Sequence, residues 1–297
     1  MKTPGVQRGG RDFPPFLASE VPDLPAAECR FHVIPVPFER SVSYGQGTAR
    51  GPAAILKASY QLEAFDGRRC PCDQGIWTSA PVACGGEVTA VLARIEAAVG
   101  TALELGAIPV VLGGEHTVTF GAVRAVAAAR RSIGVIQFDA HADLRETYEG
   151  TPYSHACVMR RVFELGVPLL QLGVRALSAA EAGFRKSAGI PHFDAEALAQ
   201  VRPPPARLLP RAFPRDVYVT FDVDALDPGI MPATGTPEPG GLQWWQTMDL
   251  LRRVTEGRRV VGFDVVELAP VRGMHGPDFT AARLAYNLMG IAAAGPR

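Results

Sequence analysis

Lysine is almost missing from this 297-residue chain. Only Lys2, Lys57 and Lys186 accompany the many Arg among 30 basic side chains, and 30 acidic side chains cancel them. The Arg are scattered, which fits a coding bias better than a function. A net charge of zero offers no basic excess for nucleic acid and no acidic disordered tail. Cysteine is scarce and odd in number. Five at irregular spacing make no disulfide framework, and Cys70-Pro71-Cys72 is too tight for an ordinary bridge. Reduced thiols in a cytoplasmic protein are expected. Apolar runs reach roughly ten residues, about half of what a membrane helix needs. The N-terminal MKTPGVQRGGRDFPPF lacks the apolar segment of a secretory signal. A soluble protein with neither nucleic-acid nor membrane partner is expected.

What is present is an alternation. Near-continuous apolar runs at 31–38, 107–114, 132–141, 167–174, 216–228 and 259–270 read as strands. Stretches at 52–65, 87–105, 116–131, 154–166, 242–257 and 277–294 show helical spacing. Pro52 suits a first helical turn, Ser154 a cap and Gly166 a stop. Strands apolar on both faces imply a buried parallel sheet with helices on both sides, an α/β sandwich of three layers. No linker, repeat or composition break divides the chain. Residues 1–297 therefore read as a single domain, with 1–28 an irregular N-terminal arm that could pack on a neighbour.

Ligands of open α/β sheets bind at the carboxyl ends of strands. Four runs here end in ligand-type residues: VVLGGEH in His116, GVIQFDAHAD in Asp139, His141 and Asp143, VYVTFDVDALD in Asp222 and Asp224, and GFDVVELAP in Glu267. If each strand stayed extended, alternate residues would point the same way, so Asp-x-His-x-Asp and Asp-x-Asp would each converge on a point. A lone Asp at a strand end is usually a turn residue, and a lone His usually a bonded core residue. The set together is different. Six ionisable groups in a buried site repel without cations, and this oxygen-rich donor set suits two Mn²⁺ better than Zn²⁺.

The segments GGEHT (113–117), FDAHAD (138–143), TFDVDALDP (220–228) and DVVELAP (264–270) resemble the ureohydrolase superfamily of arginases and agmatinases. The resemblance runs from residue 35 to the last helix. It implies a three-layer αβα sandwich around about eight parallel strands, two Mn²⁺ per subunit, a small guanidino substrate and a homo-oligomer, trimer or hexamer. Carried over by motif, His116, Asp139, Asp143 and Asp222 would hold one ion, and Asp139, His141, Asp222 and Asp224 the other. Asp139 and Asp222 would bridge. Two such ions, about 3.5–4 Å apart, activate a water against a poor electrophile. The resemblance further gives Asp143 a proton-transfer role, Glu267 the guanidinium, and His155 of TPYSHAC a proton shuttle. By residue type alone, a His near a helix start is more often a cap or a surface residue.

SHACVMRR (154–161) and ATGTPEPGGL (233–242) resemble the agmatinase branch, and agmatine, split to putrescine and urea, is the expected substrate. Glu146, Glu149 and Glu238 are candidates for an acidic mouth that would suit an ammonium tail. Arg145 would either pair with Glu146 or Glu149 or read the carboxylate of guanidinobutyrate or guanidinopropionate. A longer polyamine, aminopropylagmatine, is a further alternative. From other classes, a zinc deacetylase of the same fold would need fewer of these ligands, and a binding protein would have lost some.

Overall fold

The computed structural model describes residues 13–22, 24–200 and 208–295. One sheet of eight parallel strands runs through it, in the order β2-β1-β3-β8-β7-β4-β5-β6. The strands are β1 (Phe31–Val36), β2 (Ile76–Thr78), β3 (Ile108–Gly113), β4 (Gly134–Phe138), β5 (Leu169–Leu172), β6 (His192–Phe193), β7 (Asp216–Asp222) and β8 (Arg259–Val266). The six runs read from the sequence are all strands, shorter than expected at their carboxyl ends. The two edge strands, β2 and β6, are additional.

Alternate strand residues feed two separate cores, which is what a pleated strand between two helix layers must do. On β3, Val110 and Leu112 enter one core and Val111 the other; on β7, Val219 and Phe221 enter the first and Tyr218 the second. The first core is closed by α1 (Gly51–Ser59), α6 (Ala195–Gln200), α7 (Trp244–Thr255) and α8 (His275–Ala294) through Ile55, Leu198, Leu251 and Leu288. The second is closed by α2 (Val88–Glu104), α3 (Val118–Ala129) and α4 (Val158–Glu164) through Ile95, Val123 and Val162, with Phe184 of α5 (Ala179–Ser187) at its margin. Gly166 takes φ 76° just after α4, as a left-handed helix stop. Among the described residues no helix is long and apolar enough to cross a membrane.

The described part of the N-terminal arm lies on its own chain. Phe16 and Leu17 are buried, and their N–H groups donate to Thr78 Oγ1 at 2.9 Å and Ser59 Oγ at 2.8 Å. Residues 1–12 lie outside the described residues.

Strand order fixes where a site can form. The chain builds β1 to β3, jumps to β4, continues outward to β6, and returns to place β7 and β8 between β3 and β4. The carboxyl ends of β3, β8, β7 and β4 are therefore neighbours, at the place where the winding reverses.

Candidate metal centre

His116 follows β3, Asp139 follows β4, Asp222 ends β7 and Glu267 follows β8, so four adjacent strands deliver them to one rim. The ligand atoms of His116, Asp139 and Asp222 lie within 4.8 Å of one another, and so do those of Asp139, His141 and Asp224. Asp139 belongs to both groups. His116 Nδ1 stands 3.1 Å from Asp139 Oδ2, 3.0 Å from Asp143 Oδ2 and 3.5 Å from Asp222 Oδ2. His141 Nδ1 is 2.9 Å from Asp224 Oδ2. All six residues expected from the sequence meet, and all but His141 are buried.

They do not meet through extended backbone, as alternation would have it. β4 ends at Phe138, and Asp143 has φ 52°; after Asp222 the chain turns into a short 3-10 helix at Val223–Ala225. Each pair closes on itself instead. The His141 N–H donates to Asp139 Oδ1 at 2.6 Å, and the Asp224 N–H to Asp222 Oδ1 at 2.8 Å. These Asx-type turns use one carboxylate oxygen and leave the other for the centre.

Protonation logic says what belongs there. Thr220 spends its only hydroxyl proton on Asp264 Oδ1 at 2.7 Å, so at 2.8 Å it accepts from the His116 Nε2–H. A neutral His116 turns a bare Nδ1 toward three carboxylate oxygens; although burial opposes charge on the ring, Asp139 and Asp143 raise His116 well above its ordinary value, so a proton or a cation must sit between them. Four acceptors facing one point call for a cation. Asp264 anchors the tautomer. It is buried and also accepts from Tyr218 and Thr119, each at 2.8 Å. Gln137 steadies Asp139 in the same way, donating at 2.7 Å, and takes a bond from Gln171 across the β4–β5 register at 2.7 Å.

The carboxylates feel one another. Burial, and then Asp139, push Asp143 up to about 7. Burial and the neighbouring Asp224 and Asp139 raise Asp222 well above the usual range, and burial with Glu115 does the same to Glu267. Burial opposes charge on His141, but its bonds to Asp139 and Asp224 outweigh that and lift it to about 12. Protons relieve this repulsion in one way and divalent cations in another. The donor set fits two of them.

Glu267 has φ 65°, receives the His116 N–H on Oε1 at 2.6 Å, and donates its own N–H to Gly114 O at 2.8 Å. Gly114 has no room for a side chain, since a Cβ there would fall 2.0 Å from Phe38 O. Glu267, Asp143 and His155 share an inner cavity of about 20 Å³ with Ser43 and Thr236. It adjoins an outer cavity of about 410 Å³ that also takes in Arg145, Tyr148, Glu181 and Glu238.

At this mouth the structure departs from the sequence reading. Arg145 faces neither Glu146 nor Glu149. Its Nε lies 3.8 Å from Glu181 Oε2, and its guanidinium 5.4 Å from the centre of the Tyr148 ring. Glu146 and Glu149 are exposed and line neither cavity, whereas Glu238 does. Glu181 was overlooked although Ser178-x-x-Glu181 is a capping-box pattern; in the structure the two side chains cap the start of α5. His275 opens α8 and lines neither cavity. Arg175 also went unread. Its guanidinium donates to Asp224 O at 2.7 Å and Glu238 O at 2.8 Å, clamping the two loops.

With this geometry in hand, the likeness to known proteins is consistent throughout. The chain is 40% identical over 273 residues to the N(1)-aminopropylagmatine ureohydrolase of Synechocystis sp., covering 89% of each chain. It is 39% identical over 274 residues to the Thermus thermophilus protein of the same description, covering 91% of this chain and 92% of that one. The solved agmatine ureohydrolase of Thermoplasma volcanium superposes with a TM-score of 0.81 at 28% identity, over 94% of both chains. The sequence pattern of the Arginase family matches residues 29–290, a span that holds every strand and every candidate ligand described above, and the chain belongs to that family.

Proposed function

We propose that this chain hydrolyses the guanidino group of a linear guanidino-polyamine, N(1)-aminopropylagmatine ahead of agmatine, releasing urea and an amine. The bare His116 Nδ1 amid three carboxylate oxygens carries the hydrolytic part of the reading. His116, Asp139, Asp143 and Asp222 would hold one Mn²⁺ and Asp139, His141, Asp222 and Asp224 the second. When bound, the pair supplies water activated at neutral pH. Glu267 offers two oxygens to a planar fork of guanidinium donors. Asp143 and His155 stand on the same cavity as proton carriers for the departing amine.

The outer cavity supports the longer substrate. Its volume of about 410 Å³ leaves room for a longer tail, and Glu238 lines it as a carboxylate suited to an ammonium group. Agmatine, expected from the sequence, remains the second reading. Arg145 is already engaged by Glu181, which argues against a guanidino acid.

Urea release by the Mn²⁺-loaded protein tests this on aminopropylagmatine, agmatine, arginine, guanidinobutyrate and guanidinopropionate. The expected result is the highest kcat/KM on aminopropylagmatine, followed by agmatine. Preference for a guanidino acid would overturn the substrate. No urea from any of them, with two metals bound per chain, would overturn the reaction.

A further inference from the structure

His155 is held at both ring nitrogens by side chains from the loop after β1, to which the sequence reading gave no role. Its Nδ1 lies 3.1 Å from Ser41 Oγ, and its Nε2 lies 3.0 Å from Ser43 Oγ. Ser41 Oγ in turn donates to Glu115 Oε1 at 2.8 Å. Glu115 is fully buried and surrounded by donors. It also receives the N–H of Arg40 at 2.5 Å, the N–H of Ser41 at 2.6 Å and the Thr117 hydroxyl at 2.6 Å. Only an ionised carboxylate accepts all four. On the other side, Tyr148 Oη lies 3.0 Å from Ser43 Oγ.

Counting protons gives these bonds a direction. A hydroxyl carries one proton. That of Ser41 is committed to Glu115, so Ser41 can only accept from Nδ1, which must carry a hydrogen. A neutral His155 then has its lone pair on Nε2. Ser43 donates to that lone pair and must accept from Tyr148. Every donor from Tyr148 to Ser41 thus points toward Glu115. Ser154 Oγ, 3.2 Å from Nδ1, takes the Ala156 N–H and is a second acceptor on the same side.

We propose that Glu115, acting through Ser41, is a positioning residue that fixes the His155 imidazole with Nδ1 protonated and Nε2 as the nitrogen that takes and returns a proton. The proposal rests on the ureohydrolase reading for the step it serves. If Nε2 accepts a proton, the ring becomes an imidazolium whose Nδ1–H still faces Ser41, and the Glu115 carboxylate one hydroxyl away offsets the new charge. That offset matters, because the groups around His155 are mixed. Burial opposes a positive ring, Glu115 and Asp139 favour it, and the Tyr148 ring meets it edge-on at 5.5 Å. Ser43 and His155 line both cavities and Tyr148 lines the outer one, so the hydroxyls of Tyr148 and Ser43 lead from the mouth to Nε2.

Glu115 also fastens the Arg40–Ser41 backbone, and replacing it would loosen the loop beside a ligand. Ser41→Ala is the cleaner probe, since it removes the relay hydroxyl and keeps both backbone bonds to Glu115. In the Mn²⁺-loaded enzyme, Ser41→Ala should lower kcat by roughly 10-fold or more, part of the 10²–10⁴ that a placed acid–base group supplies. KM and metal content should stay within twofold, and Ser41→Thr should restore the rate. Combined with His155→Ala, Ser41→Ala should add less than twofold, because it acts through the ring. Unchanged kcat in Ser41→Ala, or a full additional loss in the His155→Ala background, would overturn the relay. Neutron diffraction from the metal-loaded crystal reads the same point without turnover. Deuterium on Nδ1 supports the relay, and deuterium on Nε2 alone overturns it. Absence of urea from the wild type would instead count against the ureohydrolase reading.

Discussion

Asp143 and Glu267 line one cavity and both hold left-handed backbone, at φ 52° and 65°. Non-glycine residues rarely do so, and each such residue costs about 1–3 kcal/mol. The strain is held by bonds on either side. Asp143 O accepts the N–H groups of Met159 at 3.0 Å and Arg160 at 3.1 Å, and Glu267 is tied to Gly114 and His116. Leu17 and Glu149 are left-handed as well, but only Asp143 and Glu267 bring that strain to a shared cavity, which marks a place where stability yields to chemistry.

Replacing Glu267 separates the two. Glu267→Gly removes the strain and a buried carboxylate, so the free energy of unfolding read from urea titrations should hold or rise by up to about 1 kcal/mol. KM for the guanidino substrate should rise at least roughly tenfold, as a charge-assisted bond is lost, with both metals retained. Loss of both metals would make Glu267 a ligand instead.

Asp139→Asn and Asp222→Asn should each abolish turnover and reduce bound metal below two per chain, measured by elemental analysis after dialysis. Both residues offer an oxygen to His116 Nδ1, and Asp139 serves both groups of ligand atoms. Near-normal turnover in either variant would refute the assignment.

Thr220→Val keeps the shape and removes the acceptor that sets the His116 tautomer. Metal affinity should fall about 10- to 100-fold, the usual effect of losing the bond behind a metal-binding imidazole. Competition with a chelator reads this directly. An unchanged affinity would show that Asp264 and Thr220 serve packing alone.

For metal-free protein, stability should fall as pH rises from 5 to 8. Folding raises Asp143 to about 7 and His141 to about 12, and lifts Asp222 and Glu267 above their usual range. In that window the folded chain therefore binds more protons than the unfolded chain, and each extra proton gives a slope of about −1.4 kcal/mol per pH unit. Asp139 is lowered and has the opposite sign, but its effect lies below pH 4; burial also lowers His155 and His32, which oppose the trend around pH 6 and are outnumbered by the raised groups. Saturating Mn²⁺ should reverse the trend, because cations replace the protons. Denaturant titrations with and without chelator at pH 5.5, 7 and 8 check both signs.

The long elements were legible because periodicity needs length. β7 and α8 announce themselves over 7 and 20 residues, whereas β2 and β6 have three and two and carry no pattern. All six ligand-type residues were legible because Asp and His after apolar strands are conspicuous. Their convergence was read for the wrong reason, as extended alternation, because nothing in the letters reveals that Asp143 is left-handed or that Asp222 and Asp139 fold back on their own loops. The supporting groups were missed although they left a trace: Gln137, Gln171, Thr220 and Asp264 are polar letters inside otherwise apolar strands, and each is fully buried. Glu115 sits inside GGEHT and Glu181 closes the S-x-x-E pattern of a capping box with Ser178, but their bonds to Ser41 and Leu144 span segments far apart in sequence and could not be read.

The placement of β7 and β8 has a consequence for biogenesis. A ribosome delivers β3 and β4 well before the two strands that will stand between them, so an emerging chain holds His116 and Asp139 on opposite banks of a gap. The gap closes only when the C-terminal third arrives. Until then neither group of candidate ligand atoms is complete, since each needs an Asp that follows or ends β7. A prematurely terminated product would lack both groups and expose two bare strand edges, the features by which quality-control proteases and chaperones recognise failures.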